Sequence, residues 1–109
     1  MYNNIFKSSF NIVEGIICFD IKNVTTKKIQ DFYKHDPFPN YRDNDNKHTI
    51  LSIGDKNIVA KQIKENFKFN KKILEVGSGT CQLSNYLAIG TNNDIYAMDP
   101  TIQSLSLGN

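Results

Sequence analysis

The sequence points to an α/β fold, and three observations carry that reading. Two short apolar runs, Lys72-Ile73-Leu74-Glu75-Val76 and Asp94-Ile95-Tyr96-Ala97-Met98, have the length of buried strands. Between them, Leu83, Tyr86 and Leu87 fall on one face of a helix over residues 80–89, with Gly90 just past its end. Glycines follow the first run, and an acid, Asp99, closes the second. Strand, glycine turn, helix, strand, acid is the opening βαβ unit of a doubly wound parallel sheet.

The remaining elements are read in chain order. In residues 1–24, Phe10, Ile12, Ile16, Ile17, Phe19 and Ile21 share no single period. The β-branched cluster around Gly15 predicts a short strand or hairpin. Thr25 or Thr26 caps a short helix over 27–34, with Ile29, Phe32 and Tyr33 on its apolar side. The prolines of Asp36-Pro37-Phe38-Pro39-Asn40-Tyr41 break that helix, and the polar run 42–48 reads as a solvated loop. A helix follows over 57–69, with Val59, Ile63 and Phe67 inward beside Ile58, and Lys61, Gln62, Lys64 and Lys68 outward. Asp55 is its expected N-cap and Asn70 its expected C-terminal cap. After Asp99-Pro100, residues Ile102, Leu105 and Leu107 begin another helix. The chain thus divides into a leader of hairpin, short helix and proline-rich loop over 1–56, and an α/β portion over 57–109.

Length and composition bound the function. With 109 residues, 39% of them hydrophobic and 22% charged, the chain has room for one globular domain. A net charge of +2 gives no global reason to expect a nucleic-acid or membrane-surface partner. The apolar run Gly15-Ile16-Ile17-Cys18-Phe19 is too short to span a bilayer, and the first residues lack the features of a secretory signal. Cys18 and Cys81 fit no metal or disulfide pattern, so a cytoplasmic location is expected. Asn and Ile occur fourteen times each and twelve of the thirteen basic residues are lysine, which reads as codon bias rather than mechanism.

The chemistry concentrates between residues 73 and 99. Gly77 and Gly79 let the backbone turn sharply and approach a ligand with no side chain between. Asp99, twenty residues after Gly79, stands where an acid accepts hydrogen bonds from ribose hydroxyls. The dinucleotide fingerprint requires a third glycine where this chain has Gln82, so that fingerprint fails. The string Glu75-Val76-Gly77-Ser78-Gly79-Thr80-Cys81 instead resembles motif I of the class I S-adenosylmethionine-dependent methyltransferases, with Cys81 in place of its last glycine. Glu75 discriminates between the two, because an anion there repels a pyrophosphate and suits the ammonium and sulfonium charges of S-adenosylmethionine.

The Pro-Phe-Pro-Asn-Tyr stretch is similar to a segment ahead of motif I in a bacterial subgroup of these enzymes. That likeness implies a segment lying across the cofactor pocket, with Phe38 or Tyr41 as a wall; the other reading is a surface loop pinned by its prolines and aromatics. The resemblance covers residues 31–107 and is specific between 73 and 99. It implies a Rossmann-like sheet in which Gly77, Ser78 and Gly79 lie along the methionine portion and Glu75 orients the loop and the amino end. It also implies that Asp99 holds the ribose and Pro100 borders the adenine. No general base or other catalytic residue is assigned, nor is the methyl acceptor; in the family these come from loops after later strands. The expectation is therefore an incomplete domain, the N-terminal part of a methyltransferase that is inactive by itself. The rivals are a nicotinamide or flavin oxidoreductase and a non-catalytic relic of the fold.

Other signals are weaker. Cys81 at a helix start is read as loop-lining or buried rather than as a thiolate nucleophile, since no histidine is near it in sequence. Asp43-Asn44-Asp45-Asn46-Lys47-His48 begins like a calcium loop, but Lys47 and His48 stand where a ligand and a glycine are required. No metal site is expected. Six lysines between positions 56 and 72 face Glu65 alone, and are read as a solvated face without an aromatic platform.

Overall fold

The computed structural model describes residues 7–20, 22–35, 37 and 40–109. Ile21, Asp36, Phe38 and Pro39 lie outside the described residues, and with them one of the two expected wall residues. Among the described residues are five helices and two two-stranded sheets.

β1 (Asn11–Val13) and β2 (Ile16–Cys18) form the antiparallel hairpin expected around Gly15. Its two turn residues, Glu14 and Gly15, have φ of 51° and 79°, the positive pair that a tight hairpin turn needs. α1 (Val24–Tyr33) starts earlier than the sequence suggests, because Asn23, and not either threonine, accepts the Thr26 N–H as its cap. α2 (Lys47–Lys56) is a helix that apolar periodicity did not reveal, and it takes the last two residues of the expected 42–48 loop. Asn46 begins it with a capping box, accepting from the His48 and Thr49 N–H groups while the Thr49 hydroxyl accepts from the Asn46 N–H.

α3 (Ile58–Asn66) is capped by Asn57, which also closes α2 through its N–H to the Gly54 carbonyl. The expected cap, Asp55, sits in the last turn of α2 and accepts the Tyr86 hydroxyl at 2.8 Å. Phe67 ends α3 before the expected end, and Asn70 serves the turn that follows, with φ of 57°. β3 (Lys72–Val76) and β4 (Asp94–Met98) pair in parallel from Lys72 opposite Asp94 to Val76 opposite Met98. α4 (Gln82–Ala88) connects them, and α5 (Ile102–Gly108) follows β4.

α4 is the centre of the packing. It lies against α2, α3 and β4, and contributes Tyr86 and Leu87, the most deeply buried large side chains. Gly54 of α2 meets the Tyr86 ring so closely that a Cβ there would collide with it. Lys64, expected on the solvated face, is half-buried instead. Its ammonium donates to the Tyr86 and Ile89 carbonyls at the C-terminus of α4, where the helix dipole favours a cation. Burial holds the Lys64 pKa below its ordinary value, partly offset by Asp55.

The sheet is covered on one face. Ile73, Glu75, Ile95 and Ala97 are half-buried on the side of α4, whereas Leu74, Val76, Tyr96 and Met98 point outward and are exposed. Among the described residues, no helix is long and apolar enough to cross a membrane.

Candidate functional site

The site begins where β3 and β4 end side by side. The N–H groups of Gly77 and Ser78 both donate to the Met98 carbonyl, at 2.8 and 3.0 Å, which holds the glycine loop against the end of β4. Gly77 and Gly79 have φ of 74° and 55°, in the left-handed region that glycine enters without penalty. A Cβ at Gly77 would meet nothing within 4 Å, so this backbone is bare toward open space. Cys81 also has a positive φ, 62°, a conformation that costs a residue with a side chain on the order of 1–2 kcal/mol. A glycine at this position would carry no such strain.

A cleft of about 420 Å³ opens beside this loop. Of the residues assigned from sequence, Tyr41, Glu75, Gly77 and Ser78 line it, while Gly79, Asp99 and Pro100 do not. Glu75 projects from β3 and accepts a hydrogen bond from the Ser84 hydroxyl of α4, which fixes its carboxylate at the cleft wall. Asp45, named from the sequence only within the rejected calcium loop, also lines the cleft and accepts the Arg42 N–H at 2.7 Å. Two carboxylates on an otherwise largely apolar cleft make a surface suited to a cation.

Tyr41 is fixed at two points. Its hydroxyl donates to the Thr80 carbonyl at 2.7 Å and accepts from the Asn85 amide at 3.0 Å. Burial pushes the Tyr41 hydroxyl pKa up, partly offset by the Asn85 hydrogen bond. The Gln82 side chain donates to the Asn40 carbonyl at 3.1 Å. The segment ahead of α2 is therefore tied to the glycine loop and to the first turns of α4. Asn85 makes a second bond, to the Gly108 carbonyl of α5 at 2.9 Å. Neither Ser84 nor Asn85 carried a sequence signal, since each acts on a residue far away in the chain.

Asp99 holds backbone on both sides. Its two carboxylate oxygens accept the Gly79 N–H and the Thr101 N–H, each at 2.9 Å. It ties the glycine loop to the start of α5, and each oxygen keeps one further lone pair for a ligand hydroxyl. The Pro100 carbonyl accepts the Gln30 amide of α1 at 2.6 Å. Cys81 is buried, with its sulfur 3.5 Å from the Ser78 hydroxyl, and burial raises its thiol pKa. That environment disfavours the thiolate a nucleophile needs. Among the described residues, no group of three or more His, Cys, Asp or Glu side chains is placed to hold a metal ion.

No protein-family model matches the sequence, and no curated protein or solved structure is significantly similar to it.

Proposed function

We propose that this α/β chain is the S-adenosylmethionine-binding part of a class I methyltransferase, with β3, α4 and β4 as the start of a Rossmann-like sheet. The observation that carries the reading is the meeting of Glu75, the bare backbone of Gly77 and the anchored ring of Tyr41 around one cleft at the carboxyl end of β3. S-adenosylmethionine supplies a methyl group already activated on a sulfonium sulfur, so the protein's task is to bind, orient and exclude water. The residues present fit that task. The Glu75 carboxylate, oriented by Ser84, offers an anionic wall to ammonium and sulfonium charges. Gly77 offers a bare backbone that a ligand can approach closely, with Ser78 beside it in the cleft lining. Tyr41 stands as one wall of the cleft. Asp99 and Pro100 lie outside the lining of this cleft, so their places at the ribose and the adenine rest on the resemblance alone, with one lone pair left on each Asp99 oxygen for a hydroxyl. No residue is assigned as a general base, and the acceptor stays open.

A non-catalytic role for the same fold is the second reading. It draws support from Asp99, whose two oxygens already hold backbone groups. Calorimetry separates the readings. S-adenosylhomocysteine is expected to bind, and Glu75→Gln to weaken it ~10-fold, the scale of one charged hydrogen bond. Binding of NAD with none of S-adenosylhomocysteine would overturn the proposal in favour of an oxidoreductase. Binding of neither leaves the non-catalytic role.

A further inference from the structure

The corner where α3 ends and β3 begins differs from the rest of the surface. Six lysines stand against one glutamate between positions 56 and 72, whereas the remainder of the chain holds more acids than bases. The near-neutral total hides a local basic field. Lys64 is occupied by the C-terminus of α4, but Lys61, Lys68, Lys71 and Lys72 are exposed.

Two aromatic residues, Phe67 and Phe69, alternate with these lysines along the chain. From the sequence, Phe67 belongs to the buried stripe of the helix, which leaves the lysines without a platform. Instead it sits just past the last turn of α3 and is 43% exposed, and Phe69 beyond it is 58% exposed. Their backbone is held in place. The Asn93 amide donates to the Phe67 carbonyl, Lys71 N–H donates to Asn93 at 2.8 Å, and Asn70 N–H donates to Asn92 at 2.8 Å. A shallow cleft of about 410 Å³ is lined by Lys61, Lys64, Lys68, Phe69 and Thr91, while Phe67, Lys71 and Lys72 flank it along the chain. Asp55 and Glu65 also face this cleft and offset part of its positive charge, but the exposed Lys61, Lys68, Lys71 and Lys72 outnumber them.

Rings left in water and flanked by cations on an ordered turn are the components of a single-strand nucleic-acid surface. Rings stack on unpaired bases, and ammonium groups follow the phosphates. A duplex keeps its bases stacked internally and offers the rings nothing. We infer that the corner formed by Phe67, Phe69, Lys61, Lys68, Lys71 and Lys72 is a docking surface for single-stranded nucleic acid. It lies at the amino end of β3, a strand length away from the glycine loop, and does not depend on the cofactor assignment.

Fluorescence anisotropy of the whole chain with a labelled oligouridylate of about 12 nucleotides tests this. Binding is expected, with log K falling against log salt at a slope of about −3 for four phosphate contacts. Phe69→Leu, which keeps apolar bulk and removes the π face, is expected to weaken binding ~10-fold with an unchanged circular dichroism spectrum. Lys68→Gln with Lys71→Gln is expected to bring the slope to about −1.5. The inference is overturned by absence of binding at low salt. Equal competition by a duplex or by polyglutamate, or affinity insensitive to Phe69→Leu, overturns it as well, leaving an indiscriminate cationic surface.

Discussion

The carboxylate of Asp99 accepts the backbone N–H of Gly79 at 2.9 Å, across the ends of two neighbouring strands. The same carboxylate takes the Thr101 N–H, so one side chain fixes both the glycine loop and the entry to α5. Asp99→Asn retains one acceptor oxygen and replaces the other by a donor, which breaks one of these bonds. Hydrogen bonds to charged groups contribute about 1.5–3 kcal/mol, and Asp99→Asn is expected to lose stability on that scale. Amide exchange is the decisive measurement, because Gly79 or Thr101 should lose protection while the N–H groups of β3 retain theirs. Unchanged protection at both would show that the loop is held by other contacts.

Gly54 and Gly77 differ in a way that stability measurements can resolve. A Cβ at Gly54 collides with the Tyr86 ring, while one at Gly77 enters open space but on a backbone with φ of 74°. Gly54→Ala is therefore an overpacking change, expected to cost about 1–3 kcal/mol. Gly77→Ala carries only backbone strain, of about 1–2 kcal/mol. In urea titration both midpoints should fall. Only Gly54→Ala should alter the near-ultraviolet signal of Tyr86, since only it moves that ring.

The βαβ unit was legible because its signals are local. Short apolar runs, the glycines after β3 and Gly90 after α4 each act within a few residues. α2 was not legible, since in Lys47–Lys56 the helix is set by its cap and by contacts with α4. Asparagines that composition assigns to codon bias cap helices and tie turns. Asn23, Asn46 and Asn57 cap three successive helices, and Asn70, Asn92 and Asn93 join the turns before β3 and β4. At the site, Glu75, Gly77, Ser78 and Tyr41 meet at one cleft, while Asp99 holds the backbone of Thr101, two residues on, and of Gly79, twenty residues back. Asn46→Ala should accordingly cost about 1 kcal/mol, read as a lower urea midpoint. Asn44→Ala, two residues away and outside the cap, should leave the midpoint nearly unchanged.

Alkaline pH tests the packing of Tyr86 on Asp55. Burial, followed by the Asp55 hydrogen bond and charge, pushes the Tyr86 phenol from its ordinary 10.0 up to about 12. The folded state therefore keeps the proton where the unfolded chain releases it. The Tyr86 contribution to stability is full below pH 10, falls as pH rises from about 10 toward about 12, and then levels off. Tyr86→Phe removes the titrating group and should remove that part of the decline, while costing about 1 kcal/mol at neutral pH for the lost hydrogen bond. Urea midpoints collected between neutral and alkaline pH would show it. An equal alkaline decline in both proteins would assign the effect to other groups.

Cys18 and Cys81 should differ sharply toward a thiol reagent. Cys18 is half-buried in the hairpin, whereas Cys81 is buried beneath α5 with Gly108 packed on it. Burial raises the Cys81 thiol pKa, and its neighbours Glu75 and Asp99 push in the same direction, offset in part by the Ser78 hydrogen bond. Reaction needs both thiolate and access, so Cys18 should label first and Cys81 only as fast as the covering α5 opens. Asn85→Ala removes the amide that holds the Gly108 carbonyl, and should raise the Cys81 rate while leaving the Cys18 rate alone. Labelling of Cys81 at the rate of Cys18 in the unmodified protein would show that α5 does not protect it. In that case the strain at Cys81, with φ of 62°, would be held by the glycine loop itself.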